Sequence, residues 1–321
     1  MPPVVASNPD LNFTASTRAD EAVRAIMQRL LGMMNANVTG VHAGADPEFL
    51  HNFRIAVRRQ HVLLGQLRGV MPQRNRRQLS RGFAWLNEIT GRVRDLDVYL
   101  HMLEADKNSL GPAMSNDLAP LREFLQHRQQ RAHQQLAESL TSRRYTRLIA
   151  TWTAYLTSPL PAHNRLSDAR RPWPSFANRR IGRMLRRVMK QGNAIRAHSP
   201  PQDLHALRKS CKKLRYLMEF FQGGYPAIML EQPLNVLKSL QDVLGEYQDL
   251  QVQQAFLVKF RQQASPTPVM KNALCAIKLM RHRLEKRKIK VRKLFKQHFA
   301  VLAETRQQKT FNQLFNKMKG R

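Results

Sequence analysis

Histidine followed at fixed intervals by arginine and lysine occurs twice in this chain. Residues 51–59 read His-Asn-Phe-Arg-Ile-Ala-Val-Arg-Arg, and residues 205–213 read His-Ala-Leu-Arg-Lys-Ser-Cys-Lys-Lys. The second copy follows the first by 154 positions, which pairs His51 with His205, Arg54 with Arg208, Arg58 with Lys212 and Arg59 with Lys213. The same offset pairs Pro72 with Pro226, Gly91 with Gly245, Asp95 with Asp249 and Leu96 with Leu250. One unchanged offset from His51 to Leu96 reads as an internal duplication. The chemistry is that of anion capture. Guanidinium forks and ammonium groups hold phosphate oxygens, and an imidazole donates to them and becomes a cation below about pH 6.5. Metal ligation is not expected, because neither histidine has a second histidine or a carboxylate at i+3 or i+4.

Helical geometry gathers these residues on one side. At about 100° per residue, with His205 as the origin, Arg208, Lys209, Lys212, Arg215 and Tyr216 fall on one face, while Leu207, Leu214, Met218 and Phe221 fall opposite. The first copy behaves alike: His51, Arg54, Arg58 and Arg59 share a side, and Phe53, Val57, Leu64 and Leu67 form the other. A solvated helix face normally mixes signs for mutual support. Here Arg54/Arg58 and Arg208/Lys212 are like-charged pairs at i,i+4, each costing roughly 0.2–0.5 kcal/mol. That cost recurs in both copies, which points to a ligand that supplies the missing negative charge.

The whole chain shares this bias. Its 321 residues carry 54 Lys and Arg against 22 Asp and Glu, a formal charge of +32. Self-repulsion on that scale is tolerable when a polyanion sits on the surface, so nucleic acid, an anionic membrane and a phosphate polymer are the candidate partners. Two cysteines, Cys211 and Cys275, give neither a disulfide framework nor a zinc spacing and suit a reducing cytoplasm. The N-terminus has no signal-peptide pattern, and no apolar run is long enough to span a membrane.

Helical periodicity dominates and strand alternation is absent, so an all-α fold is expected. Breaks near Gly40–Pro47, Val70–Pro72, Lys107–Pro112, Ser158–Pro174, Ala197–Gln202, Gln222–Pro226 and Ser265–Pro268 predict eight helices of roughly 20 to 40 residues. The richest linker lies at the middle. The expected organisation is a disordered N-terminus 1–17, a first four-helix half 18–157, a linker 158–175, a second four-helix half 176–307 and a basic tail 308–321.

The chain resembles the CHAD domain, the conserved histidine α-helical domain. The resemblance rests on His51-x-x-Arg54-x-x-x-Arg58-Arg59, on His205-x-x-Arg208-x-x-x-Lys212-Lys213-x-Arg215-Tyr216, and on Gly91-x-x-Arg94-Asp95-Leu96-Asp97-Val98. It covers about residues 18–305. It implies two pseudo-symmetric four-helix bundles around a basic central groove, inorganic polyphosphate as ligand, and association with polyphosphate granules. Carried over, the ligand contacts are His51, Arg54, Arg58, Arg59 and Arg94, and His205, Arg208, Lys212, Lys213 and Arg215; Lys209 joins them by its place on the same helix face. Asp95 and Asp249 would orient nearby cations. The second half departs from the Arg-Asp-Leu-Asp pattern and reads Gln248-Asp249-Leu250-Gln251, so its outer position is a weaker contact than Arg94. The physical reading agrees in class, since a phosphate polymer has dense charge and no bases to read, and positioned cations suffice to hold it.

Further cations could extend the track: Arg180, Arg183, Arg186 and Arg187; Arg128, Arg131, Arg143 and Arg144; and the Lys278–Lys296 run. No cofactor is expected. Weak non-specific nucleic-acid binding is expected from charge alone, but the stripes carry little aromatic interleaving for base stacking and no helix-turn-helix, RNP or zinc-knuckle pattern. A phosphoryl-transfer enzyme would gather carboxylates around a metal, and Asp95-x-Asp97 is the only compact acidic pair to consider. Granule-associated proteins are candidate partners. Surface attachment through 281–297 or 311–319 is a minor addition, because Val291, Leu294 and Phe295 have core spacing.

Overall fold

The computed structural model describes residue 3 and residues 13–110, 116–161, 165–263, 267–304, 310, 311 and 315. The expected disordered segment 1–17 lies outside them except at 3 and 13–17, and the expected basic tail lies outside except at Thr310, Phe311 and Phe315. The helices are α1 (Ala19–Ala43), α2 (Pro47–Leu64), α3 (Gln73–Leu110), α4 (Ala119–Thr141), α5 (Arg143–Thr157), α6 (Trp173–Ala194), α7 (Pro201–Phe220), α8 (Ala227–Gln263) and α9 (Pro268–Ala303). A 3-10 turn occupies Gln222–Gly224. Among the described residues no strand forms beyond an isolated bridge between Arg18 and Pro172.

The helix ends follow local chemistry. Asp46 accepts from the Glu48 backbone N–H at 2.7 Å and Pro47 opens α2, where its missing N–H costs nothing. Gly44 ends α1 in the left-handed region at φ 62° and returns its N–H to Gly40 and Val41 carbonyls. One expected helix is broken. Ser142 adopts φ −69°, ψ 153°, ends α4, and accepts from the Tyr145 N–H at 3.3 Å to cap α5. The periodicity runs through that point without interruption, so an eight-helix reading misses it, and the 15-residue α5 is shorter than expected.

Sequential helices pack on one another: α1 on α2, α2 on α3, α3 on α4, and again α6 on α7, α7 on α8, α8 on α9. The two runs meet where α2 touches α7, α1 touches α6, and α4 touches α9. One apolar cluster runs from Ile26, Phe53 and Phe83 through Trp152 and Trp173 to Phe221 and Phe299. Phe311 and Phe315 are buried in it. Trp152, fully buried, donates its indole N–H to Gln60 Oε1 at 2.8 Å, so its polar atom is not stranded. A second apolar cluster joins Leu103, Leu121 and Leu125 of the first run to Leu257, Phe260 and Met280 of the second. Val291 and Phe295 are core residues as expected, whereas Leu294 is 37% exposed.

The segment between α5 and α6 is stapled rather than loose. Asp168 is buried, its N–H donates to the Gly69 carbonyl at 2.8 Å, and its carboxylate accepts from Arg179 at 2.9 Å and Arg180 at 3.2 Å. Arg180 also donates to the Arg68 carbonyl. Thus a charge in the connecting segment ties α6 to the turn between α2 and α3. Removing it leaves the buried Arg180 guanidinium short of its counter-charge. Asp168→Ala is expected to cost about 3 kcal/mol in denaturant unfolding. Arg171→Ala, which removes the outermost and most exposed partner of the same carboxylate, is expected to change stability by less than about 1 kcal/mol.

Candidate functional site

The two repeated basic helices lie side by side. Where α2 meets α7, the Tyr216 ring is 1% exposed and is surrounded by the guanidinium carbons of Arg58, Arg59 and Arg215 at 5.9, 5.6 and 5.5 Å from its centroid. Glu219 completes this contact. Its carboxylate lies 3.0 Å from Arg59 Nη2 and 3.4 Å from Arg215 Nε. The ring face and one carboxylate therefore hold three guanidinium groups at a helix crossing that charge alone would push apart. Tyr216, placed on the basic face by its helical angle, is covered by its own arginines, because that face meets α2 here rather than water.

The long helices α3 and α8 form the flanking surfaces, and they do so alike. A Cβ on Gly91 of α3 would stand 3.1 Å from Arg54 Nη1, and one on Gly245 of α8 would stand 3.7 Å from Arg208 Nη2. Each glycine leaves the helix surface open to a guanidinium from the neighbouring basic helix. Arg54 Nη1 also donates to the Asn87 carbonyl at 3.4 Å. The histidines differ between copies. His205 Nδ1 donates to Gln248 Oε1 at 2.6 Å. At the matching place on α3 stands Arg94, whose charge bears on His51 instead. The departure at Gln248 thus replaces a cation with a group that orients the imidazole.

The crowding is legible in the titration of the cluster. Burial, and then the charges of Arg58, Arg208 and Arg215, bring Lys212 down to about 7. Burial, and then Arg58, bring Arg54 down to about 10. Arg208, His51 and His205 are each lowered, first by burial and then by neighbouring cations. The Nε atoms of Arg58 and Arg208 are buried without a hydrogen-bond partner. Asp95 and Asp249 reach solvent, yet the protein around them raises both, against the pull of Arg54 and Arg94 on one and of Arg208 and Lys212 on the other. Asp95 itself adds to the rise of Asp249, so the two carboxylates share one neighbourhood.

His51, Arg54, Arg58, Arg94, Asp95, His205, Arg208, Lys212 and Asp249 are thereby brought together from four helices. Arg59 and Arg215 are engaged by Glu219 and Tyr216. Lys209 is exposed beside His205, and Lys213 is lowered by burial and then by Arg187 of α6 and by Lys209. Of the further cations considered, Arg180 belongs to Asp168, and Arg128 lies over the Phe124 ring at 5.4 Å. The acidic pair separates. Asp97 accepts from Gln129 at 2.7 Å and lies 3.5 Å from His133, and these bonds lower it despite its burial. Two positions apart on a helix point about 200° apart, so Asp95 and Asp97 serve different surfaces. Among the described residues no three His, Cys, Asp or Glu gather in a way that could hold a metal. Glu219 is a site residue not anticipated, and Gln248, expected as a weaker ligand position, takes a role that was not. The first had a readable signal in its i,i+4 spacing from Arg215; the second had none beyond its place in the repeat.

The family model described as CHAD domain matches residues 25–258. A crystal structure of the CHAD domain from the plant Ricinus communis superposes with a TM-score of 0.75 at 25% identity, covering 92% of this chain and 96% of that one. PptA from Streptomyces chartreusis superposes with a TM-score of 0.65 at 16% identity, covering 88% and 100%, a likeness of fold. No curated protein matches the chain.

Lys212 links the site to stability. Its pKa is about 7 in the folded chain and about 10.4 when unfolded, so between these values the unfolded state holds more protons and stability rises with pH. Below pH 7 the penalty is fully present; above about pH 10.5 it is gone. Lys212→Met is expected to stabilise the protein by on the order of 1–2 kcal/mol at pH 7, allowing for solvent screening, with the gain shrinking toward pH 10. Thermal unfolding of both proteins at the two pH values checks this; an equal difference at both would show that Lys212 is not suppressed.

Proposed function

The chain belongs to the CHAD domain family, and from that membership we propose that it binds inorganic polyphosphate without catalysing its conversion. The observation that carries this reading is the convergence of Arg58 from α2 with Arg208 and Lys212 from α7, with two guanidinium Nε atoms buried and unpartnered. A folded chain does not hold like charges in this way at no cost. A polymer of phosphates supplies the missing counter-charge at many points at once and accepts the unmatched hydrogen bonds. On this reading α2, α3, α7 and α8 line a basic groove, with the duplicated halves 18–157 and 176–307 joined by the linker 158–175. The matched approach of Arg54 to Gly91 and of Arg208 to Gly245 supports the duplication.

Within the groove, His51, Arg54, Arg58 and Arg94 meet the polymer from one half, and His205, Arg208 and Lys212 from the other. Lys209 and Lys213 extend the track beside α6. Arg59 and Arg215 shape the crossing through Glu219 and Tyr216 and contribute long-range charge. Asp95 and Asp249 position Arg54, Arg208 and Lys212 when the groove is empty. Phosphate drawing near raises the pKa of both carboxylates further and returns that of Lys212 toward its ordinary value, so binding takes up protons near neutral pH. Recruitment to polyphosphate granules, alone or with granule-associated proteins, follows from affinity for their main constituent.

Titration calorimetry with long-chain polyphosphate at physiological salt, with duplex DNA as competitor, tests the reading. Binding that an equal charge of DNA does not displace is expected; equal displacement would favour a general nucleic-acid-binding surface. Replacing Arg54, Arg58, Arg208 and Lys212 together with alanine is expected to weaken binding by at least about 100-fold while circular dichroism keeps its helical signal. Unchanged affinity would place the site elsewhere. Above pH 7, affinity is expected to fall by up to about tenfold per pH unit for each proton taken up, and the heat of binding to vary with the ionisation heat of the buffer.

A further inference from the structure

A second set of cations lies away from this cluster, where α3 and α5 begin side by side. Arg74, Arg77 and Arg81 of α3 and Arg143, Arg144 and Arg147 of α5 are all exposed. They line two adjoining depressions of about 600 and 420 Å³ that share Gln78 and Arg81, and no acid lines either one. Leu148 packs against Gly82, which draws the two arginine stripes close together. Arg144 lies over the Trp85 ring at 4.3 Å, which fixes one guanidinium at the edge of the patch.

Some arginines elsewhere in the chain are paired with acids. Arg92 pairs with Glu88, Arg171 and Arg179 with Asp168, and Arg287 with Glu246. None of the six makes an ion pair with a described residue. The nearest acids along the chain are committed elsewhere, Glu88 to Arg92 and Glu138 to the Gln134 amide. Both helices also present their positive dipole ends here with no acid in the first turn, so the helix ends add to the repulsion rather than relieve it. Arg81 precedes Arg94 by thirteen positions on α3, roughly 20 Å along the helix axis. Arg54 of α2 meets α3 at Asn87 and Gly91, whereas the patch lies where Gly82 meets Leu148 of α5, so this concave, acid-free, six-arginine surface faces a different side of α3 and is a separate site rather than the rim of the first.

We propose that this surface is a second phosphate-binding site, and that it lets one protein hold two segments of phosphate polymer at once. The identity of the polymer rests on the function proposed above; the existence of the site does not. Guanidinium forks suit the bridging geometry of adjacent phosphates. Two sites on one rigid chain would join polymer strands, and bridging strengthens with polymer length because the second contact becomes intramolecular.

Two variants separate this site from the first: Arg77→Gln, Arg81→Gln, Arg143→Gln and Arg147→Gln combined, and the central quadruple alanine variant. All four patch residues are exposed, so the fold is expected to hold. Calorimetry with short-chain polyphosphate at about 0.15 M salt is expected to show two sites per chain in the unaltered protein. The patch variant should keep the tighter site within about twofold and lose the second, and should no longer raise light scattering with long-chain polyphosphate. The central variant should keep the second site alone. Two sites and unchanged scattering in the patch variant would overturn the proposal, as would a central variant that binds nothing. Loss of duplex-DNA binding with polyphosphate binding unchanged would make the patch a nucleic-acid surface and also overturn it. Complete loss of polyphosphate binding in the patch variant, with the central variant unaffected, would uphold the patch and sink the central reading.

Discussion

Like charges held at close range between α2 and α7 set the terms for the rest of the molecule. Arg58 bears on Arg54, Arg208 and Lys212, and burial together with the charges of Arg58, Arg208 and Arg215 brings Lys212 down to about 7. At an effective dielectric of about 20, two unit charges 4 Å apart repel by roughly 4 kcal/mol. Marginal stability cannot absorb several such terms without offsetting contacts. The offsets are visible. Tyr216 lies under three guanidinium groups, Glu219 forms ion pairs with two of them, and Asp95 and Asp249 stand beside Arg54, Arg208 and Lys212.

The scaffold keeps these charges from separating. α2 and α7 cannot swing apart without opening the apolar cluster that runs from α1 to α8. Asp168 fixes α6 to the turn between α2 and α3, and the second apolar cluster joins the far ends of α3 and α8 through α4 and α9. Repulsion is thus stored locally in a frame that resists it, which is how a binding site is pre-organised for a ligand of opposite charge.

Much of this was legible in the residues. The all-helical character followed from periodicity, and the basic helices and their facing side from the repeated His-x-x-Arg spacing. The paired glycines also appeared as a repeat, but their purpose, to admit Arg54 and Arg208, needed a neighbouring helix that sequence does not supply. The break at Ser142 was missed because a capping serine leaves the apolar period of the flanking helices intact. The burial of Tyr216 on the basic face was not legible, because a helical angle says which side a residue faces, and not what lies on that side. The roles of Arg59 and Arg215 were hidden for the same reason, since Glu219 reaches Arg59 only after α2 and α7 have packed. Gln248 looked like a weakened ligand position and instead bonds His205.

The titration of Lys212 tests the central claim most directly. Its ammonium resonance can be followed by NMR in protein carrying labelled lysine, with and without short-chain polyphosphate, using Lys212→Met for assignment. A midpoint near 7 in the free protein that moves upward by more than about one pH unit with ligand would show a crowded cation relieved by phosphate. A midpoint at the ordinary lysine value in the free protein, or one that polyphosphate leaves unmoved, would contradict it.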